Sequence, residues 1–355
     1  MRLSAIVHEA KNNVVSGTTK AVFLSVVLGV LSLAAVVSDM LAVSSLVDEA
    51  TAYQSSGASI VTIVAPGRID GERCEDIGRM PGVRAAGAIA ISRGQRVTAL
   101  PLPGAPMQAA SITPGFVGVL GADADGGPGV LLPEDLAFTL GLERGDPLVV
   151  AEGTTRTAGT YQYPRDGRRN GYGYLAMSAV APGGAVFDEC WVDAWPQNPD
   201  IRSLLLLTVL SGDLDQPPTI SQLNPSKGAN FSGSARYDTR VTRFSGAVFG
   251  SVAVVVGFIA IWSRRVEIAS SLHDRIRRHD LWLIVSLELA VWVVPPVLLS
   301  MAVSIAYFGA ASEPGFGAVL GARGSFGVQV GALVGAYLAL AVTRERDLLR
   351  HTKDR

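Results

Sequence analysis

Charge is what this chain has least of. Only 17% of its 355 residues are Asp, Glu, Lys or Arg, fewer than an ordinary soluble protein of that length carries. The formal net charge is −1, so no basic footprint points to nucleic acid. No G-x-x-x-x-G-K-[ST] phosphate loop occurs, since NPSKGANFSGS has the wrong spacing. A G-x-S-x-G nucleophile elbow is also missing. The four histidines, His8, His273, His279 and His351, have no cysteine partner on the side of the membrane assigned to them below, so a zinc site has no support. GADADGGPG, around Asp123 and Asp125, lacks the distal Glu of a calcium loop and reads as a turn. The chain by itself shows neither an enzyme nor a cofactor site.

The apolar residues are gathered into blocks. Eighteen uncharged residues lie between Lys20 and Asp39, twenty between Arg243 and Arg264, and twenty between Arg323 and Arg344, while 281–308 is apolar apart from Glu288. About twenty helical residues cross a hydrocarbon core of about 30 Å. The expectation is a polytopic membrane protein with four transmembrane helices: 20–47 (span and stalk), 244–263, 281–308 and 324–343. A cleavable leader ending near Ala52 is the alternative for the first block, disfavoured by its length and by the three spans that follow.

Basic residues set the orientation. Arg2, Lys11 and Lys20 precede the first span; Arg264, Arg265, Arg275, Arg277 and Arg278 lie between the second and third; Arg344, Arg346, Arg350, Lys353 and Arg355 follow the fourth. Only Arg323 lies between the third and fourth. This predicts a cell-membrane protein with an amphipathic segment 1–19, a loop 264–280 and a tail 344–355 in the cytoplasm. Residues 48–243 and the short loop 309–323 then lie outside.

Within 48–243, ASIVTIVAP, the helix-spaced RIDGERCEDIGRMPG and VRAAGAIAIS read as strand, helix, strand. Later AVFDECWVDAWP reads as a strand and NPDIRSLLLLTVL as a capped helix. Residues 57–94 and 183–240 are thus expected to be halves of one α/β layer, split by a turn-rich β insertion over 95–182. SARYDTRVTRF is expected to run as a helix into the second span, giving the external α+β domain two stalks. Cys74 and Cys190 fall in this domain, where an oxidising compartment favours a disulfide worth on the order of 4 kcal/mol; two buried thiols too far apart to bond are the alternative. TYQYPRDGRRNGYGYLAM holds Tyr161, Tyr163, Arg165, Arg168, Arg169, Tyr172 and Tyr174. It reads equally as a surface for an external protein or peptide and as a solvated hairpin.

The stretch SRRVEIASSLHDRIRRHDL follows the second span. If 264–278 is helical, Ile268, Leu272 and Ile276 form an apolar stripe with Glu267 near its start, more than a charged anchor needs. Glu288 reads either as a proton or substrate relay or, as we favour, as an interfacial carboxylate paired with an arginine of the preceding loop.

The layout and several segments resemble the MacB and FtsX-like permeases of the type VII ABC transporter superfamily. LGLERGD, Leu140 to Asp146, is similar to the family's turn before a strand. RRVEIA resembles the start of its cytoplasmic loop, with Glu267 and Ile268 in the matching places, and SLELAV resembles its third span with an early Glu, here Glu288. The chain is identified as a divergent member: Arg275 stands where the family has Gly, Pro295 and Pro296 interrupt the third span, and TRERDLLRHTKDR replaces a proline-bearing ending. The resemblance implies an external porter-like layer with a β-rich insertion and pairing with a second permease chain, identical or different. It also implies a separate cytosolic P-loop ATPase that holds the ATP and Mg. Arg264, Arg265, Glu267, Ile268, Leu272 and Ile276 would then be a coupling helix docked in an ATPase cleft, transmitting motion to the external domain for export or extraction of a cargo. The alternative is an FtsX-like regulator that activates an external cell-wall hydrolase.

Overall fold

A computed structural model describes residues 2–124, 127–212, 216–274, 276–310 and 314–343. Asp125, Arg275, His351 and the basic tail residues Arg344, Arg346, Arg350, Lys353 and Arg355 lie outside the described residues. The chain begins with α1 (Leu3–Val15), α2 (Ala21–Ser55), β1 (Ile60–Asp70), α3 (Gly71–Ile77), β2 (Val83–Val97) and β3 (Met107–Ile112). Next come α4 (Pro114–Leu120), β4 (Asp123–Ala124), β5 (Val130–Pro133), α5 (Glu134–Leu140), β6 (Pro147–Val150) and β7 (Gly153–Tyr161). β8 (Leu175–Ala179), β9 (Val186–Ala194), α6 (Ile201–Leu206), β10 (Thr219–Gln222) and α7 (Gly233–Thr239) lead to α8 (Ser245–Trp262), α9 (Arg265–His273), α10 (Arg278–Gly309) and α11 (Pro314–Val342). The chain divides into a helical unit, Met1–Val47 with Gly233–Arg355, and a sheet unit, Asp48–Ser232.

Among the described residues four stretches are long and apolar enough to cross a membrane: Ala21–Ser55, Gly233–Trp262, Arg278–Gly309 and Gly315–Val342. Without a hydrophobic driving force between helices inside lipid, close backbone approach must hold them together. α8 and α11 supply it with glycine. A Cβ on Gly327 would come within 2.4 Å of the Gly246 carbonyl oxygen, one on Gly331 within 2.1 Å of that of Gly250, and one on Gly335 within 1.9 Å of that of Val254. The two helices therefore run parallel in one register. α11 meets α10 where Ser304 Oγ donates to the Gly317 carbonyl at 2.7 Å. α1 lies on α10, its Ile6 and Ala10 packed on Ile284.

Two expectations are corrected here. The external loop expected over 309–323 is mostly helix, since α11 starts at Pro314 and runs on past Arg323; proline suits a first helical turn. The second stalk is interrupted. α7 ends at Thr239 and Arg240 is extended (φ −60°, ψ 132°) before a 3-10 turn at Val241–Phe244, and residues from Gly233 onward belong to the helical unit, not to the external domain expected to reach 243. α2, by contrast, is unbroken for 35 residues.

In the sheet unit β1, α3, β2, β9, α6 and β10 form a β-α-β-β-α-β arrangement, with strands in the spatial order β10-β1-β9-β2. β9 shows the alternation that a two-faced sheet requires: Trp191 enters one core with Ile89, Phe116 and Met177, while Cys190 and Val192 enter the other with Ile63, Phe187 and Leu205. Cys74 of α3 is disulfide-bonded to Cys190. The insertion has a core of its own, around Met107, Leu132, Leu136 and Leu148. It is not a separate layer, however. β3 pairs with β2 and the order continues β3-β8-β5-β7-β4, so both halves share one hydrogen-bonded sheet. β2 makes this possible by running on to Val97 through an irregularity between Ile91 and Arg96. The expected helix over NPDIRSLLLLTVL is also shorter, closing at Leu206 before Val209 bridges to Ile69.

Candidate functional site

One polar cluster of the helical unit lies among residues of α1, α10 and the start of α9. Arg264 is the hub. Its Nη1 donates to Glu288 Oε2 at 2.6 Å, and its Nε and Nη2 fork onto the two oxygens of Glu267 at 3.0 and 2.7 Å. The other oxygen of Glu288 accepts from Asn13 Nδ2 of α1 at 2.7 Å. Glu288 is 2% exposed, and a carboxylate so placed persists only when its charge and lone pairs are matched. Asn13 shares the α1 face of Ile6 and Ala10, since residues four and three apart lie together on a helix. The cluster thus ties three elements through one guanidinium. Both oxygens of Glu288 are thus engaged as acceptors.

The apolar stripe of the expected coupling helix goes inward. α9 covers only Arg265–His273, so Ile276 lies beyond its end. Ile268 is buried at 4% exposure, and Leu272 and Ile276 pack partly buried on the cluster of Leu281, Val285 and Trp292. Ile268 is thus interior, while Leu272 and Ile276 stay half-buried at the edge of the same cluster. Arg265 lies over the Trp262 ring, 5.4 Å from its centroid. What α9 leaves outward is polar, including Ser270 and His273.

A second tie lies midway along α2, at Asp39. Arg240 donates from Nε and Nη2 to the carboxylate of Asp39 at 2.8 and 3.1 Å, Thr242 Oγ1 donates to the same group at 2.7 Å, and the guanidinium sits 3.8 Å from the Tyr237 ring centroid. Between the two ties Gln329 Nε2 donates to Ser32 Oγ at 2.9 Å. Sequence reasoning missed Asp39, Arg240 and the glycine seam. The signals were present: an acid closing one apolar run, an arginine ahead of the next, and glycines four apart in both α8 and α11.

In the sheet unit the Tyr/Arg stretch is divided: Tyr161 and Tyr172 are buried, Tyr163, Arg168 and Arg169 are half-buried, and Arg165 and Tyr174 are exposed. Tyr161 and Tyr172 are buried in the core with Trp191. Glu189, itself buried, accepts from Tyr172 OH at 2.6 Å and Trp191 Nε1 at 2.7 Å and is ion-paired with Arg169. Arg168 holds the Ser56 carbonyl at 3.1 Å and Asp166 at 3.2 Å. Burial pushes the phenols of Tyr161, Tyr163 and Tyr172 above their ordinary range, and the Glu189 charge adds to this at Tyr172. Arg165 and Tyr174 remain exposed, on a cleft of about 990 Å³.

No protein-family model and no curated protein matches the chain. Among solved structures it is similar to the periplasmic region of MacB from Actinobacillus actinomycetemcomitans, at 11% identity and a TM-score of 0.33, over 48% of this chain and 91% of that one. It is also similar to a domain assigned to a permease protein of Porphyromonas gingivalis, at 13% identity and a TM-score of 0.32, over 48% of this chain and 94% of that one. Likeness at this level decides nothing about activity. The geometry establishes a chain with four helices able to cross a membrane and one large mixed-sheet domain.

Proposed function

We propose that this chain is the membrane-spanning subunit of an ABC transporter-type complex. A separate cytosolic ATPase, holding its own ATP and Mg, acts on the α1, α9 and α10 end of the helical unit, and α2 carries the resulting movement toward the sheet domain, which shifts an external cargo. The observation that supports this most is the Arg264 hub, because it ties the start of α9 to α10 directly and to α1 through Glu288. A push on the outward polar face of α9 is then felt by all three elements. In the orientation expected from the basic residues that face is cytoplasmic. The chain's own residues position and transmit; the partner supplies the hydrolysis.

The test is purification of the tagged full-length chain from its native membranes. A P-loop ATPase should co-purify, and the complex but not the chain alone should hydrolyse ATP. Ser270→Trp, on the outward face of α9, should reduce the ATPase recovered while leaving membrane insertion intact. A stable preparation that repeatedly lacks any ATPase would remove this reading.

A further inference from the structure

The turn between α1 and α2 holds an unusual lysine. Lys20 adopts φ +50°, the one non-glycine residue with positive φ among the described residues, where a side chain costs energy that glycine would avoid. Its ammonium makes no ion pair among the described residues. It borders a groove of about 570 Å³ whose walls include Val22, Val26, Val291 and Pro295. Ser25 also lines the groove and makes no side-chain hydrogen bond among the described residues. Pro295 has no N–H, so the Val291 carbonyl four residues earlier lacks its helical donor.

We infer that this groove holds one anionic phospholipid of the leaflet that surrounds the N-terminal end of α2. Val22 and Val26 are largely exposed on a helix apolar enough to span the bilayer, so an acyl chain is the medium that covers them. Charge complementarity selects the headgroup: a cation without a counter-ion at the membrane surface favours a phosphate bearing net negative charge. Ser25 lies five residues further along, about 7.5 Å down the helix axis, at the depth where the ester carbonyls of a lipid sit beneath its phosphate and accept a hydroxyl hydrogen bond. The site is independent of any ATPase.

The purified full-length chain is incubated with an equimolar mixture of phosphatidylglycerol and phosphatidylcholine, and retained lipid is counted by native mass spectrometry. Wild type should retain phosphatidylglycerol in roughly five-fold preference, the effect of one basic residue near the surface. Lys20→Arg should keep the preference. Lys20→Gly should abolish it while melting at or above the wild-type temperature, because its backbone geometry suits glycine and only the cation is lost. Val26→Trp should fill the groove and lower retention of both lipids. Equal retention of the two lipids by wild type, a preference that survives Lys20→Gly, or a Val26→Trp variant with undiminished lipid would each overturn the assignment.

Discussion

Arg264 and Glu288 form the pair on which the helical unit has least tolerance. Arg264→Met strands a carboxylate at 2% exposure with only Asn13 to match it. Breaking a buried pair from one side costs about 3–5 kcal/mol, whereas replacing both partners by apolar residues of similar volume is often close to neutral. Thermal melting in detergent should show a large loss for Arg264→Met, a smaller one for Glu288→Gln, whose amide oxygen still accepts from Asn13, and recovery in Arg264→Met/Glu288→Leu. A relay carboxylate would behave differently, since Glu288→Gln would then abolish activity without touching stability. In the sheet unit the sensitive residues are phenols. Tyr161, Tyr163 and Tyr172 are held neutral by burial, while the unfolded chain ionises them near the ordinary value of about 10. Above that pH the folded state binds more protons than the unfolded, so their contribution is complete below pH about 10 and falls as pH rises. Ultraviolet titration should find these three ionising only together with loss of the near-ultraviolet circular dichroism of the fold.

Single elements are governed by close approach. At Gly331 even a methyl group meets the Gly250 carbonyl at 2.1 Å, whereas at Gly315 it meets nothing within 4 Å. Overpacking of this kind costs about 1–3 kcal/mol. Gly331→Ala should therefore lower the melting temperature and speed proteolysis of the helical unit, and Gly315→Ala should leave both unchanged or slightly improved. The existence of α2, α8, α10 and α11 was legible in the sequence because charge-free runs have a direct physical meaning in lipid. Their ends were less so. Arg323 looked like a boundary, yet it lies within α11, where a long flexible side chain can reach out of the apolar zone. The stripe of Ile268, Leu272 and Ile276 was legible as an apolar face, but periodicity does not say what covers a face, and here Ile268 is buried in the helical core while Leu272 and Ile276 stay half-buried. The pairing of Glu288 with a loop arginine was readable because an isolated charge beside a basic loop has few other solutions.

For the whole molecule, the decisive fact is that the sheet unit has its own cores and its own staple. The two ends of that unit lie close, since the Tyr53 and Phe231 rings are 5.5 Å apart and both contact Trp195. The split of the β10-β1-β9-β2 layer into two sequence halves was legible from strand and helix order. The continuity of its sheet through the insertion was not, because it depends on β2 bending between Ile91 and Arg96 to pair with β3, and a pairing partner across a long loop leaves no periodic trace. Adjacent ends and an independent core predict that residues 48–232, produced alone in an oxidising compartment, fold to a monomeric domain with β-sheet circular dichroism. The Cys74–Cys190 bond closes a separation of 116 residues, and a loop of that size is worth about 4–5 kcal/mol in the chain-entropy account. That is a large share of the roughly 5–15 kcal/mol that stabilises a typical domain. Cys74→Ser/Cys190→Ser should therefore melt the isolated domain at a markedly lower temperature. In the full-length chain the same pair of substitutions should make residues 48–232 protease-sensitive while the helical unit keeps its resistance. Simultaneous loss of both resistances would mean that the two units do not fold as independent bodies.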